Sequence, residues 1–109
     1  MCSVFGCFIL RNEGNGCLTS VYHEHREVRP YTESCIITSD GTPDDPFVGI
    51  FSTVWLEPEN RIANLTITRD NLIYNLVWNN ISRSNNSEYM GSAFLSEGRL
   101  IGTYWLVNR

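Results

Sequence analysis

Blocks of hydrophobic residues alternate with turn-forming residues every ten to fifteen positions along this 109-residue chain. Gly, Pro, Asn and Asp mark the turns because they permit positive φ, fix φ or bond to the nearby backbone. The blocks between them are rich in β-branched and aromatic residues, which favour strands. Eight segments result: 2–10, 18–28, 34–38, 47–56, 61–68, 72–78, 88–95 and 98–107. They predict an all-β fold in a single domain, 1–109: an antiparallel up-and-down barrel or curved meander of about eight strands.

The segment at about 45–56 also fits a helix. Its apolar residues recur at the spacing of one helix face, namely Phe47, Ile50, Phe51, Val54 and Trp55. Asp45 and Pro46 stand where an N-cap and a first helical residue belong. Gly49 and the neighbouring Ser, Thr and Val residues are weak helix formers, so we favour a strand. The alternative fold is α+β, with this helix packed on an antiparallel sheet.

The last two segments form a predicted tight hairpin, with Gly98 available for positive φ. In the final segment Leu100 and Tyr104 share one face, while Ile101 and Trp105 share the other. An antiparallel sheet with one face in water alternates more cleanly than this. A second copy of the chain is the simplest cover for the second face, so we expect a homodimer. The 45–56 helix is the competing cover.

Composition excludes several functions. The chain has no Lys, so no Schiff base or P-loop lysine is available, and its formal net charge is −4. Nucleic-acid binding requires several phosphates to be neutralised together, and the scattered arginines form no basic run. No apolar run approaches the roughly 18 residues of a membrane-spanning helix. We therefore expect neither a nucleic-acid nor a membrane partner.

The cysteines fit the interior of a cytoplasmic protein. Cys2, Cys7, Cys17 and Cys35 form no C-x-x-C pair and match no zinc spacing. We expect small buried thiols, with one or two disulfides in an exported protein as the alternative. The apolar start, 1–10, has no basic n-region and no small-residue cleavage site after it. The predicted location is the cytoplasm.

His23-Glu24-His25 is the constellation with the strongest catalytic or metal-binding character. Residues two apart on a strand face the same side, so both imidazoles could serve one reaction or one ion. A metal needs a third ligand, from Glu27 on the same face or from another strand, such as Glu33 or Asp40. Two exposed histidines on a strand are the simpler interpretation, and we expect no metal and no cofactor. A small enzyme at the barrel mouth, using His23 and His25, stays as an alternative function.

Residues 64–105 resemble a known family. They contain Leu65-Thr66-Ile67, then Tyr74 and Trp78 four residues apart, Gly91 in the next strand, and Leu100 and Tyr104 in the last. This order resembles the C-terminal meander of small bacterial calycin-like proteins, the lipocalin- and avidin-type barrels. The resemblance implies a closed barrel of about eight strands. The lipocalin Gly-x-Trp signature is absent near the first strand, and no biotin-binding set is present, so biotin is not implied.

Aromatic side chains beside a few polar ones predict a ligand pocket inside such a barrel. The predicted ligand-binding residues are Trp55, Asn64, Tyr74, Asn75, Trp78 and Tyr104. The predicted function is therefore non-catalytic binding of a small, partly apolar ligand. The same side chains could fill a small barrel completely, because eight strands leave room only for side chains or one small ligand. A structural or regulatory homodimer without a ligand is thus a further alternative.

Overall fold

The eight predicted segments are eight strands. The computed structural model describes residues 4–39, 44–55, 60–82 and 88–107. The strands are β1 (Phe5–Gly14), β2 (Cys17–Glu24), β3 (Tyr31–Ser39), β4 (Gly49–Trp55), β5 (Arg61–Asp70), β6 (Ile73–Asn79), β7 (Glu88–Ser96) and β8 (Arg99–Val107). Each pairs antiparallel with its neighbour in the chain, and β1 pairs with β8 to close the barrel. The all-β barrel prediction is confirmed.

The ambiguous segment is a strand, β4, and the described part of the chain contains no helix. Side chains along β4 alternate between inside and outside. Phe51 and Thr53 are 0% exposed, whereas Ile50, next to Phe51, is 41% exposed. This two-residue period is that of a half-buried strand. Its helical spacing was a coincidence of apolar residues on both sides of the sheet.

Short turns with positive φ set the strand register. Asn15 and Gly16 connect β1 to β2, with φ of 55° and 78°. Glu97 and Gly98 connect β7 to β8 with φ of 53° and 79°, while Ser96 pairs with Arg99 across the turn. Two central residues of positive φ match the right-handed twist of the flanking strands. The predicted tight hairpin at Gly98 is confirmed.

The barrel interior is built from every second residue of each strand. Tyr74, Trp78, Leu100 and Tyr104 point inward and are buried. The middle of the barrel is closely filled by aliphatic and aromatic side chains that are almost fully buried: Leu10, Leu18, Phe51, Leu65, Ile67, Leu76 and Leu100. The interior face of the C-terminal hairpin is therefore the one that carries Leu100 and Tyr104.

Glycines on the inner face make room for two large rings. A Cβ at Gly91 would lie 3.1 Å from Cζ3 of Trp78, and one at Gly6 would lie 2.6 Å from the hydroxyl oxygen of Tyr104. Both rings therefore lie across strands that bear no side chain at that point. A larger residue at either glycine would push the ring away from the wall.

The outer surface carries one continuous apolar row across five strands. Each member is the register partner of the next one on the neighbouring strand, in the order Ile73, Phe94, Ile101, Ile9 and Val21. Phe94 is about half exposed, and Ile73 and Val21 are also exposed. We call these five residues the outer row. It accounts for the two apolar faces of the C-terminal hairpin.

Candidate functional site: the aromatic end of the barrel

One end of the barrel is closed by the segment that precedes β4. Asp45 Oδ1 accepts a hydrogen bond from the Phe47 amide at 3.0 Å, and Oδ2 accepts one from the Tyr74 hydroxyl at 2.7 Å. Arg69 also donates to Oδ2 at 3.2 Å. The Phe47 ring is buried and meets Tyr74 edge-on at 6.4 Å. We call this the plugged end, because its polar groups are already used to hold Phe47 in the core.

The opposite end is lined by aromatic side chains from four strands. The Tyr104 ring on β8 lies 6.1 Å from Tyr22 on β2, 5.8 Å from Tyr89 on β7 and 6.3 Å from Trp78 on β6, between centroids. The interplanar angles of 79°, 75° and 64° make all three contacts edge-to-face. Tyr22 and Tyr89 are only partly buried. We call these four residues the aromatic end.

A carboxyl group is buried inside the barrel next to this end. Trp78 Nε1 donates to Glu33 Oε2 at 2.8 Å, and the Thr53 hydroxyl donates to the same oxygen. The Cys35 thiol donates in turn to the Thr53 hydroxyl oxygen at 3.4 Å. Burial raises the pKa of Glu33, and the two hydrogen bonds offset part of that rise.

Two buried hydroxyl groups lack a hydrogen-bond partner among the described residues. They belong to Ser20 on β2 and Tyr104 on β8, whose residues are 3% and 8% exposed. Ser20 is the register partner of Glu33, so it lies on the same inner face. Buried hydroxyls are normally paired, and an unpaired one costs about 1–3 kcal/mol. Beside the aromatic end, the interior therefore contains two hydroxyl groups whose hydrogen-bonding capacity is not used by the described residues.

The tyrosines of this end are held neutral. Burial raises the pKa of Tyr22 well above its usual value, and the Glu33 and Glu24 carboxylates raise it further. Burial, followed by Glu24, raises the pKa of Tyr104 in the same way. Burial and Glu24 also raise that of Tyr89, against a lowering by Arg61. The phenol groups therefore serve as neutral hydrogen-bonding groups across the physiological pH range.

The structure brings together two of the six predicted ligand-binding residues. Trp78 and Tyr104 belong to the aromatic end, and Trp55 packs against the core as a partly buried side chain. Tyr74 is inside the barrel but at the plugged end. Asn64 and Asn75 are exposed on the outer surface. They neighbour the inward-facing Leu65 and Tyr74 in sequence, and adjacent strand residues face opposite sides.

Sequence reasoning missed three residues of the interior site: Ser20, Tyr22 and Glu33. The signal that could have found the first two was the alternation along β2, where Leu18 is also inward. Glu33 precedes the inward Cys35 by two positions on β3, so the same period places it inside. Its polar neighbours Thr32 and Ser34 hid that pattern.

The two histidines lie outside the barrel. His23 and His25 are exposed, and the ring of His25 stacks on Phe5 at 4.3 Å. His23 Nε2 lies 2.9 Å from the Glu27 carbonyl oxygen. Within the described ranges no group of three His, Cys, Asp or Glu side chains could hold a metal ion. The alternation that turns Tyr22 and Glu24 inward directs His23, which lies between them, to the outer face. Asp40 lies outside the described residues.

The described cysteines are free thiols: Cys7 is exposed, Cys17 is partly buried and Cys35 is buried. Burial raises the pKa of Cys35 strongly, with Glu33 adding to the effect. Its thiol is therefore protonated and unreactive. Cys2 lies outside the described residues. In the part of the chain that is described, no helix is long and apolar enough to cross a membrane.

No protein-family model, no curated protein and no solved structure matches this chain.

Proposed function

We propose that this protein binds a small, partly apolar ligand without transforming it, inside the barrel at the aromatic end. The observation that carries the proposal is the pair of buried hydroxyl groups, Ser20 and Tyr104, that find no partner among the described residues. A ligand that carries polar groups can pair with one or both of them and remove the cost of leaving them unpaired. A pocket of apolar walls with a few placed polar groups is the usual form of a small-molecule site.

The rest of the interior supports this choice of end. The middle is filled by Phe51, Leu65 and Leu76, and the plugged end has Asp45 and Phe47 in place. The aromatic end combines partly buried rings with polar groups that are buried deeper. The resemblance of residues 64–105 to lipocalin- and avidin-type barrels implies binding of the same kind.

Native mass spectrometry tests the proposal. The purified protein is incubated with a deproteinised small-molecule extract of its expression host and measured before and after denaturation. We expect the chain to carry an additional small-molecule mass that disappears on denaturation. The variant Tyr22→Ala/Tyr89→Ala, which removes two walls, should lose that mass, while Asn64→Ala/Asn75→Ala on the outer surface should keep it. A wild-type spectrum that shows the bare chain alone would contradict the proposal.

The structural homodimer is a second candidate, supported by the outer row. Its exposed apolar side chains run across five strands without a polar interruption. Such patches are characteristic of interaction surfaces. Analytical ultracentrifugation should show a dimer that Phe94→Glu dissociates. Ile36→Glu, at an exposed apolar residue of β3 outside the row, is the matched control and should leave the dimer intact. A monomer in the wild type would eliminate this candidate.

A further inference from the structure

A cysteine and a histidine lie side by side on the outer face of the barrel. Cys7 on β1 and His23 on β2 are register partners, and both are exposed. Directly opposed residues of antiparallel strands have Cβ atoms roughly 4.5–5.5 Å apart. Zn–S and Zn–N bonds are about 2.3 and 2.0 Å long, so a thiolate and an imidazole at this spacing can bind one zinc ion. We call these two residues the Cys–His pair.

A hydrogen bond of His23 determines which ring nitrogen is available to a metal. Its Nε2 lies 2.9 Å from the carbonyl oxygen of Glu27. A carbonyl oxygen only accepts, so Nε2 carries the proton and the neutral ring keeps its lone pair on Nδ1. Histidines that bind metals characteristically donate their other N–H to a carbonyl or carboxylate group, which orients the ring. His23 already has this arrangement.

Neighbouring side chains do not complete the site within one chain. The ring of His25 stacks on Phe5, with 4.3 Å between centroids and 16° between planes. The Glu27 carboxylate accepts a hydrogen bond from the Tyr31 hydroxyl at 2.7 Å. Across the described ranges, no group of three His, Cys, Asp or Glu side chains could hold a metal ion. A structural zinc ion takes four ligands, so the pair supplies half of a set.

The outer face around the pair carries no Asp, Glu or Arg in three neighbouring rows. The middle row follows the register through Asn75, Ser92, Thr103, Cys7 and His23. The outer row flanks it on one side, and Val77, Met90, Trp105 and Phe5 flank it on the other. Charged residues are 18% of the chain, and their depletion is characteristic of the core of a protein–protein interface. The face therefore suits a protein partner.

The area of this face fits a dimer. Phe5, Phe94 and Trp105 are 45%, 52% and 38% exposed. At roughly 150–250 Å² per aromatic side chain, these three rings alone offer roughly 200–340 Å² of apolar surface. Each partner in a stable interface buries about 800 Å² in total, and the remaining residues of the three rows add to the share of the rings.

A second copy of the chain is the partner that completes the ligand set, because two identical pairs make four ligands. A two-fold axis along the middle row places each residue of that row opposite its own copy, so the two pairs meet. Stacked sheets lie roughly 10 Å apart, which leaves roughly 5 Å between each backbone and an ion on the axis. Cysteine and histidine side chains span that distance.

We propose that a zinc ion links two copies of this chain face to face, bound by Cys7 and His23 of each copy. Each Cys7 thiol releases its proton to water on binding, and each His23 binds through Nδ1. Two chains and one ion thus give a tetrahedral site of two thiolates and two imidazoles, with two protons released. This inference goes beyond ligand binding inside the barrel and assigns a metal to the homodimer, the second candidate above.

Zinc titration of the untagged, EDTA-treated protein tests the inference, with native mass spectrometry for stoichiometry and analytical ultracentrifugation for association. We expect one zinc ion per two chains and a dimer dissociation constant at least about tenfold lower with zinc than without it. Calorimetry in buffers of different ionisation enthalpy should show release of about two protons per ion. Cobalt(II) in place of zinc should give the thiolate charge-transfer absorption of a tetrahedral sulfur–nitrogen site.

Variants connect the metal to the pair. Cys7→Ser and His23→Gln each remove two of the four ligands of the dimer, so each should weaken zinc binding by more than the roughly 10–100-fold that loss of a ligand's hydrogen-bond partner costs. Both residues are exposed, so the zinc-free variants should unfold at the wild-type Tm. Cys17→Ser and His25→Gln change the same residue types outside the pair and should bind zinc as the wild type does.

The outcomes separate the zinc site from the functions proposed above. One zinc ion per single chain, wild-type zinc affinity in either pair variant, or a cobalt complex without thiolate absorption would overturn the inference. A dimer that forms equally well without zinc and binds none would overturn it too, and would leave the homodimer standing. Ligand binding inside the barrel is decided independently, by the small-molecule mass in the native spectrum.

Discussion

Replacement of Asp45 by Ala tests the closure of the plugged end. Asp45 is buried and accepts from the Phe47 amide, the Tyr74 hydroxyl and Arg69. Its loss leaves the Tyr74 hydroxyl, in a residue only 1% exposed, without this partner, which costs about 1–3 kcal/mol. The Arg69 side chain is 46% exposed, so the lost ion pair adds less than about 1 kcal/mol.

We therefore expect Asp45→Ala to lower the free energy of unfolding by about 2–4 kcal/mol, including the lost bond to the Phe47 amide. For a chain of this length that corresponds to a fall in Tm of roughly 8–15 °C. Urea denaturation followed by tryptophan fluorescence measures the free energy directly, with an unchanged m-value expected. Asp44→Ala, at the exposed carboxylate one residue earlier, is the matched control and should change little.

A double-variant cycle isolates the buried contact. Tyr74→Phe removes the hydroxyl that Asp45→Ala leaves unpaired, so the double variant should be less destabilised than the two single changes added together, by about 1–2 kcal/mol. Simple additivity, or an Asp45→Ala variant as stable as Asp44→Ala, would refute the reasoning that Asp45 holds this end closed.

Three further predictions concern the interior and the turns. Gly102→Val should destabilise the barrel by about 1–3 kcal/mol in thermal unfolding, because an added Cβ would lie 2.7 Å from Cβ of Ala93; Thr103→Val on the outer face is the control, and equal stability of the two would contradict the packing. Burial raises the pKa of Glu33 in the folded state, so the folded protein binds the proton more tightly than the unfolded chain does. The contribution of Glu33 to the free energy of unfolding is therefore complete below its ordinary pKa of 4.5 and is lost as the pH rises above that value. Denaturation at a series of pH values should show a shallower fall in Glu33→Gln, and identical slopes would count against a buried, proton-binding Glu33. Glu97→Asn should raise the free energy of unfolding by about 0.5 kcal/mol and Tm slightly, because Asn adopts the positive φ of 53° more readily than Glu. A lower Tm would exclude this turn geometry.

The strand content could be predicted from the sequence because it is a local property. Alternation and turn residues located all eight strands in the sequence. Alternation also assigned Tyr74 and Trp78 to one face of β6, and Tyr104 to one face of β8. Which face of each strand points inward is not a local property, since it depends on the closure of the barrel by β1 pairing with β8. Outer residues such as Ile73 and Trp105 are apolar too, so hydrophobicity alone did not distinguish the two faces.

The polar part of the candidate site was beyond sequence reasoning for the same reason. Glu33 meets Thr53 and Trp78, which are 20 and 45 residues away along the chain. No short motif links three residues so far apart. Asn64 and Asn75 carry amide groups of the kind that anchor a ligand, but each is one position out of phase with its inward-facing neighbour and so lies on the outside. A polar residue in a strand becomes a site residue only when its phase and its cross-barrel neighbours are known.

The most direct test of the central claim is a two-dimensional amide NMR titration of the intact protein with the small-molecule extract used for native mass spectrometry. Binding at the aromatic end predicts shifts of the Trp78 indole N–H and of the amides of Gly6, Gly91 and Tyr104, while the amides of Phe47 and Arg69 at the plugged end stay unchanged. Shifts at the plugged end or along the outer row in place of the aromatic end, or no shifts at all, would contradict it.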